Sequence, residues 1–594
     1  MTHLDLAMVG NGSWAGLVDP RGRMVWACFP RFDGDPVFSA LLAGAETPER
    51  GIFEVAIENG VEARQEYLRN TAIVVTTLTD KSGGAVEITD FAPRYVDHGR
   101  MYRPLMLVRR VRPIAGHPRV SVRLRPAYDW GAKSPQVTHG SNHMRYVMPH
   151  GTLRLTTDAP IPWVIDERPF VLEEPIHLIL GPDETLSSAI APAARESFER
   201  TLDYWLDWSR SLSIPFEWQS AVIRAAITLK LCAYEPTGAI VAAVTTSIPE
   251  APGTARNWDY RYCWLRDAYF VVHALNRLGA TKTMEGFLRY IGNVVAGSPD
   301  GSLQPVYGVG CEARLPEREV PGLAGYRGMG PVRAGNQAFE HVQNDVYGSV
   351  ILAATQSFFD ERLRRPGDRA LFERLERIGE QAVQRFDQPD AGLWEYRTRA
   401  RVHTFSAVMC WAAADRLSRI AAHLGLDDRA RRWRAHADRM HRVICREAWS
   451  EARGSFVESF GGSDLDASLL LMEHVGFLSA DDERFARTVV SVEKELREGT
   501  YLFRYRAEDD FGAPRTAFNI CTFWYIDALC ALGRSAEARA LFENMLAHRN
   551  PVGLLSEDLD PATGELWGNF PQTYSMVGLI SCAMRLSETW EDAL

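Results

Sequence analysis

A short segment near the middle of the chain combines aromatic and charged side chains at a density that suits neither a buried core nor a solvated loop. Residues 256–268 read RNWDYRYCWLRDA, with four aromatic and five charged side chains in thirteen positions. Planar rings cover the apolar faces of a pyranose, while Arg and Asp side chains bond its hydroxyls. We therefore predict the floor of a sugar site here, with Trp258 and Tyr260 among its contacts. The alternative is an aromatic packing corner bordered by surface salt bridges.

Two glutamates are candidates for the carboxyl groups that hydrolyse a glycosidic bond. That reaction uses one carboxylic acid to protonate the leaving oxygen, and one carboxylate to attack the anomeric carbon or to activate water. Glu395 lies in a turn between Trp394 and Tyr396, so an apolar wall surrounds it. The other reading of Glu395 is a surface carboxylate paired with a neighbouring arginine.

The second glutamate, Glu557, lies in a long loop that is rich in acidic residues. Asp558, Asp560 and Glu565 are close in sequence, and each has the chemistry of a base. On residue type alone, any of these carboxylates could be the base. The alternative is that the whole segment is a solvated acidic loop without a catalytic role.

Length, composition and net charge limit the classes of protein to which this chain can belong. The chain has 594 residues, of which 46% are hydrophobic and 24% charged, with a net charge of -10. This describes a globular protein of more than one domain and argues against a nucleic-acid partner, which needs a concentrated basic face. The nine cysteines are scattered singly, so neither a disulfide framework nor a metal site is predicted.

The sequence also bears on location and cofactors. The N-terminal residues lack a basic segment followed by an apolar core, and no run of about 18 apolar residues occurs. We therefore predict a cytoplasmic enzyme without a membrane partner. No cofactor is predicted, because acid–base hydrolysis needs only carboxyl groups.

Hydrophobic periodicity divides the chain in two. From about residue 5 to 195 the period is two, and a hairpin is predicted around the turn Lys81–Gly84, which indicates a β-sandwich. After about residue 196 the period is 3.6, and roughly twelve amphipathic segments follow, among them 336–361 and 464–473. We predict a sandwich domain over 1–195, a helical linker over 196–216 and a catalytic domain over 217–594. The long stretches at about 298–335 and 549–571 are expected to be functional loops.

Several motifs, in their order along the chain, resemble glycoside hydrolase family 15, the glucoamylase and trehalase family, in its bacterial two-domain form. They are NWDYRYCWLRDA, PVRAGN, GLWE, CTFW and LLSEDLDPATGELWGNFPQ, together with VGNG and CFPRFD near the start. The resemblance covers nearly the whole chain. It implies an N-terminal β-sandwich followed by an (α/α)6 barrel, which agrees with the change of period.

The resemblance also implies roles for individual residues. Glu395 would be the general acid and Glu557 the general base of an inverting reaction, with the carboxyl groups roughly 6.5 to 9.5 Å apart. The implied sugar contacts are Arg266, Asp267, Trp394 and, in a looser motif, Arg504. Three places depart from the family pattern: Met329, Met576 and the segment 515–518, which begins with Arg515. The loops that carry them are expected to frame the site beyond the first sugar.

The function predicted first is an exo-acting, inverting α-glucoside hydrolase of the glucoamylase type, which releases glucose from the non-reducing end of an oligosaccharide or disaccharide. The alternative on the same site is a trehalase. A disaccharide phosphorylase would need a phosphate pocket in place of Glu557. A non-catalytic carbohydrate-binding protein would not need both carboxylates. A simple assay for released reducing sugar separates that last class from the enzymes.

Overall fold

A computed structural model describes residues 3–45, 48–298 and 300–593 of the chain. It contains a β-rich N-terminal domain followed by a helical domain, as the periodicity predicts. The predicted hairpin is present, since β-strands cover Val74–Asp80 and Ala85–Phe91.

The N-terminal domain is a sandwich of two antiparallel sheets. Its strands are β1 (Ala7–Gly10), β2 (Ala15–Val18), β3 (Met24–Phe29), β4 (Asp35–Phe38), β5 (Ile52–Ile57), β6 (Gly60–Tyr67), β7 (Val74–Asp80), β8 (Ala85–Phe91), β9 (Tyr95–Asp97), β10 (Arg100–Tyr102), β11 (Leu107–Ala115), β12 (Arg119–Arg125), β13 (Gln136–His139), β14 (His143–Met148), β15 (Gly151–Thr157), β16 (Phe170–Val171) and β17 (Ile176–Pro182). One sheet has the order β1-β2-β3-β5-β12-β16, with β4 paired to β3, and the other has the order β13-β14-β15-β17-β11-β8-β7-β6. Alternate side chains of both sheets meet in one apolar core.

Fifteen α-helices occur in the described residues, and all but α1 follow the sandwich strands. They are α1 (Ile161–Ile165), α2 (Ile190–Arg210), α3 (Gln219–Leu231), α4 (Leu265–Arg277), α5 (Lys282–Ala296), α6 (Asp345–Thr355), α7 (Arg369–Arg385), α8 (Thr404–His423), α9 (Asp427–Glu447), α10 (Leu471–His474), α11 (Glu483–Leu496), α12 (Asn519–Ala531), α13 (Ser535–Ala547), α14 (Thr573–Leu586) and α15 (Trp590–Ala593). Short strand pairs lie between them: β18 (Ala233–Tyr234), β19 (Ala239–Ile240), β20 (Cys263–Trp264), β21 (Val306–Tyr307), β22 (Arg318–Glu319), β23 (Arg333–Ala334), β24 (Trp449–Ser450), β25 (Ser455–Phe456), β26 (Arg497–Glu498), β27 (Tyr501–Leu502), β28 (Ala517–Phe518), β29 (Asp558–Leu559) and β30 (Leu566–Trp567).

Inner and outer helices alternate along the chain, which is the (α/α)6 arrangement. The inner helices α4, α6, α8, α10, α12 and α14 each contact the next, and α14 contacts α4 to close the ring. Their sequences fit this position, because α8 is buried along nearly its whole length. The outer α9 buries only the stripe formed by Trp433, Ala437, Met440 and Ile444, and its arginines face solvent, as its spacing predicts.

Some of the predicted helix boundaries are wrong. The connecting helix α2 begins at Ile190 rather than at 196. The segment 336–361 is helical in α form only over Asp345–Thr355, because a 3₁₀ turn at Gln337–Glu340 precedes it and another follows it. The segment 464–473 contains a 3₁₀ turn followed by the four-residue α10. In the last two segments the apolar pattern extends through 3₁₀ turns, so periodicity overestimates the α-helix there.

The loops before the inner helices lie at one end of the barrel. Trp264 is the N-cap of α4 and His403 the N-cap of α8, while Asn344 precedes α6 and Gln572 precedes α14. The positive ends of these helix dipoles therefore point toward a common centre, which favours carboxylates and polar ligands there. No described helix is both long and apolar enough to cross a membrane.

Candidate active site

A pocket opens where these loops meet, and its empty space, including the part open to solvent, is about 870 Å³. Seven of the eight predicted site residues line it, and the eighth, Glu557, lies directly behind its wall: the seven are Trp258, Tyr260, Arg266, Asp267, Trp394, Glu395 and Arg504. The sequence motifs therefore come together in one cavity.

Glu395 projects into the pocket from a strained turn. Its backbone φ is 61°, in the left-handed region that a residue other than glycine occupies at a cost of about 1–3 kcal/mol. The Trp264 Nε1–H donates to Glu395 Oε1 at 2.6 Å, and the amide of Gln343 donates to the same oxygen at 3.2 Å. The Arg266 guanidinium lies 3.6 Å from that oxygen. One carboxylate oxygen is thus fixed by three side chains.

Glu557 is 1% exposed, and a hydroxyl group joins it to the pocket. The Tyr260 hydroxyl donates to Glu557 Oε1 at 2.7 Å, and the Asn569 backbone N–H donates to Oε2 at 3.3 Å. Burial, with the carboxylates of Asp558 and Glu250, raises the pKa of Glu557 well above its ordinary value, although the Tyr260 bond opposes this. The side chain also packs on Gly568, where a Cβ would lie 2.6 Å from that of Glu557.

Arg266 and Asp267 lie in the first turn of α4. Arg266 Nη1 donates to Gln343 Oε1 at 2.8 Å and lies 3.3 Å from Asp345 Oδ2, so the guanidinium is fixed by α6. Burial raises the pKa of Asp267 to about 7, opposed by Arg266 and reinforced by Glu395. One oxygen of Asp267 is buried without a hydrogen-bond partner, which leaves it available for a ligand hydroxyl.

Trp394 and Arg504 have structural partners as well as a face in the pocket. The Trp394 Nε1–H donates to Asp466 Oδ2 at 2.8 Å. Arg504 pairs with Glu250, which Arg256 also contacts at 2.9 Å. The Trp258 ring meets the ring of Phe511 edge to face, with centroids 5.3 Å apart.

Three buried carboxylates lie together at and behind the pocket wall, which Glu250 lines. Ligand atoms of Glu250, Glu557 and Asp558 are within 4.8 Å of one another. Burial raises the pKa of Asp558 to about 8, reinforced by Glu250 and opposed by Arg504. Because Arg256 and Arg504 both bond Glu250, guanidinium groups supply the positive charge that this cluster needs.

A loop that sequence reasoning missed covers the pocket. Residues 506–514, here called the capping loop, contribute Asp509, Asp510 and Phe511 to the pocket wall. Asp509 accepts two hydrogen bonds from Arg256, at 2.6 and 2.8 Å. Asp510 accepts from the backbone N–H of Arg397 at 2.6 Å. The only signal in the sequence is the aromatic residue inside an acidic, glycine-containing turn, which is typical of many surface loops.

Two of the three loops that depart from the family pattern reach the pocket wall, as expected. Met329, Arg515 and Met576 themselves do not line the pocket, but Phe518 of the segment 515–518 does, and so do Gln572 and Tyr574 just before Met576. Met576 is wholly buried in α14. The loop 298–335 packs against the sandwich domain, where the Gly325 N–H donates to the Leu42 carbonyl at 2.9 Å.

Comparison with known proteins identifies the chain. Residues 218–584 match the sequence model of the glycosyl hydrolases family 15, and residues 3–168 match a trehalase-like N-terminal domain. The chain belongs to glycosyl hydrolase family 15. It is a glycoside hydrolase, and the predicted class of enzyme is confirmed.

Similar proteins span nearly its whole length. A trehalase of Thermoplasma volcanium is 31% identical over 593 residues, which cover 98% of this chain and 93% of the relative. A trehalase of Mycobacterium tuberculosis is 32% identical, over 99% of this chain and 90% of the relative. A bacterial glucoamylase solved with acarbose superposes with a TM-score of 0.70 at 13% identity, covering 98% of this chain and 94% of the other, and supports the fold alone.

Proposed function

We propose that this enzyme hydrolyses α,α-trehalose to two molecules of glucose, with inversion at the carbon that water attacks. The observation that carries the proposal is a pocket whose wall holds Glu395, with Glu557 just behind it, on neighbouring aromatic donors, and which the capping loop also lines. The similarity to proteins named trehalase, over nearly the full length of both chains, supports the choice of substrate.

Glu395 is the proposed general acid. It would protonate the glycosidic oxygen as the bond to the first glucose breaks. Trp264, Gln343 and Arg266 all hold the same carboxyl oxygen, Oε1, which leaves the other oxygen for the proton that is transferred. These contacts fix the direction of the carboxyl group before substrate binds, which lowers the entropic cost of reaching the transition state.

Glu557 is the proposed general base. It would take a proton from a water molecule that attacks the anomeric carbon from the face opposite to the leaving group. The Tyr260 hydroxyl lies on the path between Glu557 and the pocket and can hold both the carboxylate and the water. Its hydrogen bond stabilises the ionised form of Glu557, which is the form a base requires.

The proposed contacts of the first glucose lie around Arg266 and Asp267. A carboxylate with a free oxygen and a guanidinium fixed by α6 form a rigid acceptor and donor pair for adjacent hydroxyls. Trp394 and Tyr260 offer ring surfaces to the sugar faces. Arg504 adds a charged donor on the side of the buried carboxylates.

The capping loop favours a disaccharide over a longer glucan. It is tied to one wall by Asp509 and Arg256, and to the other wall by Asp510 and the backbone of Arg397. The Arg397 guanidinium also lies over the Phe511 ring, 5.3 Å from its centroid. A third sugar would have to leave the pocket past this loop. The longer oligosaccharides among the substrates predicted first need that exit, whereas trehalose does not.

A substrate panel with anomer detection tests the proposal. Purified enzyme is incubated with α,α-trehalose, maltose, isomaltose and maltotetraose, and early products are followed by ¹H NMR. An inverting trehalase releases α- and β-glucose in equal amounts before mutarotation, because only one of the two glucoses is attacked. Release of α-glucose alone would contradict inversion, and a preference for maltotetraose would contradict the choice of trehalose.

We also propose that the enzyme acts in the cytoplasm. The support is that all nine cysteines are free thiols, five of them buried and inert in the barrel core: Cys232, Cys263, Cys410, Cys521 and Cys582. Fractionation of cells that express the enzyme, with trehalase activity measured in each fraction, tests this location.

A further inference from the structure

The turn that carries Glu395 is supported from below by one imidazole ring. Gly392 and Glu395 both have positive φ, 65° and 61°, and the turn closes through a hydrogen bond from the Glu395 N–H to the Gly392 carbonyl at 3.2 Å. A Cβ on Gly392 would lie 2.9 Å from the ring of His403, so glycine is required by contact as well as by conformation. The turn therefore rests directly on His403.

A second contact joins the same ring to the residue after Glu395. The Tyr396 and His403 rings are stacked, with centroids 5.8 Å apart and an angle of 22° between their planes. His403 thus touches the turn on both sides of Glu395. The His403 side chain is 3% exposed, so its imidazole fills space inside the packed protein that a smaller side chain would leave empty.

Charged groups fix the His403 ring in place. Its Nδ1 lies 2.8 Å from Asp390 Oδ1, and its Nε2 lies 3.7 Å from Glu458 Oε2 without a hydrogen-bond partner. Burial acts to lower the pKa of His403, but the bond to Asp390 and the charge of Glu458 outweigh it, so the pKa is raised. A protonated ring donates toward both carboxylates.

Asp390 is itself fixed by the barrel. Its Oδ2 accepts from the Ser406 hydroxyl at 2.6 Å and from the Asn344 backbone N–H at 2.8 Å. Its backbone pairs with Arg401, so the loop that carries Glu395 begins and ends at one bridge. The inner helices α6 and α8 therefore hold Asp390, Asp390 holds His403, and His403 holds the turn.

We propose that His403 is a positioning residue for the general acid: its ring keeps the Gly392–Tyr396 turn in the strained conformation that aims Glu395 at the glycosidic oxygen. The inference rests on the proposed role of Glu395 in hydrolysis. His403 itself does not line the pocket and does not touch the substrate.

The experiment compares two substrates that differ in their need for an acid. Cleavage of α,α-trehalose requires protonation of an alkoxide leaving group, whereas α-glucosyl fluoride releases fluoride with little help from an acid. For His403→Ala we expect kcat on trehalose to fall by about 100-fold, as for a misplaced catalytic group. We expect KM, and the rate on α-glucosyl fluoride, to stay close to wild type. His403→Phe keeps a ring beneath Gly392 and should recover part of the loss on trehalose.

Control variants separate the proposed role of His403 from that of Glu395. His441→Ala removes another partly buried ring in the outer layer of the barrel, which packs at a tilt against Phe477 with centroids 4.5 Å apart. It should affect both substrates alike. Glu395→Gln should lose trehalose hydrolysis and keep fluoride hydrolysis. If Glu395→Gln does not separate the substrates, the proposed acid is wrong. If it does, and His403→Ala lowers both rates equally or neither, the positioning role of His403 is wrong while the proposed function stands.

Discussion

The Tyr260 and Trp264 rings lie edge to face with centroids 5.4 Å apart, and each ring donates a hydrogen bond to a different one of the two proposed catalytic glutamates. Trp264 follows Tyr260 by four positions and ends the short strand β20, directly before the first turn of α4. One aromatic pair from one segment therefore sets the direction of both carboxyl groups, although Glu395 and Glu557 are distant in sequence.

Glu395→Gln and Glu557→Gln should each lower kcat on trehalose by at least about 100-fold, because each removes a proton-transfer group. The fold should remain, since glutamine can accept the bonds that Trp264 and Tyr260 donate. Steady-state kinetics with circular dichroism checks both points. Asp560→Asn is the matched control from the same acidic loop, where Asp560 only bonds its own turn. Near-normal turnover in either glutamine variant would overturn the role of that residue.

Tyr260→Phe should move the acid limb of the kcat/KM profile to higher pH. Burial, Asp558 and Glu250 raise the pKa of Glu557, and the hydrogen bond from Tyr260 opposes them. A base works only when ionised, so activity falls as the pH drops through this raised pKa. Loss of a donor to the charged form raises the pKa further, and the limb then reports the coupled carboxyl cluster.

Tyr262→Phe provides the comparison for that shift, because its hydroxyl accepts from the Gly335 N–H at 3.2 Å and does not reach Glu557. Its profile should coincide with that of the wild type. An acid limb that stays in place or moves to lower pH in Tyr260→Phe would argue against the proposed role of the hydroxyl.

The division into a sandwich and a helical barrel could be predicted from the sequence because side-chain period is a local property. The stripe of Trp433, Ala437, Met440 and Ile444 is buried as its spacing predicts. The ends of helices could not be predicted to the residue, since the short α10 and the turn before α6 are defined by contacts across the inner ring.

The site residues could be predicted because the motifs contain the residue types that a sugar site needs. In the structure they lie at the pocket wall or just behind it. The residues that hold the site residues in place do not belong to such motifs, so they could not be predicted from the sequence. His403 contacts Gly392 only after the loop closes on itself through Asp390 and Arg401. The capping loop reaches Arg256 from 253 positions away, so its closure depends on tertiary contacts that no local pattern specifies.

Asp510→Ala and Phe511→Ala should widen the exit from the pocket and change the substrate preference. Asp510 ties the capping loop to the backbone of Arg397, and Phe511 closes the space between Arg397 and Trp258. The ratio of kcat/KM for trehalose to that for maltotetraose should fall, because the second glucose loses contacts while a longer chain gains room. Glu508→Ala, in the same loop but outside the pocket wall, should leave this ratio unchanged. An unchanged ratio in both loop variants would remove the structural argument for a disaccharide.

Arg504→Met should destabilise the fold as well as weaken sugar binding. Glu250 has a side-chain exposure of 3% and is paired with Arg504 and with Arg256. Removal of one partner of a buried ion pair typically costs about 3–5 kcal/mol, because the remaining charge loses its compensation. The free energy of unfolding in urea measures this loss. Glu250→Gln in the same chain removes the excess negative charge and leaves Arg256 paired with Asp509, so the double variant should recover part of the stability. A double variant as unstable as the sum of the two single changes would mean that Arg504 stabilises the barrel through packing rather than through Glu250.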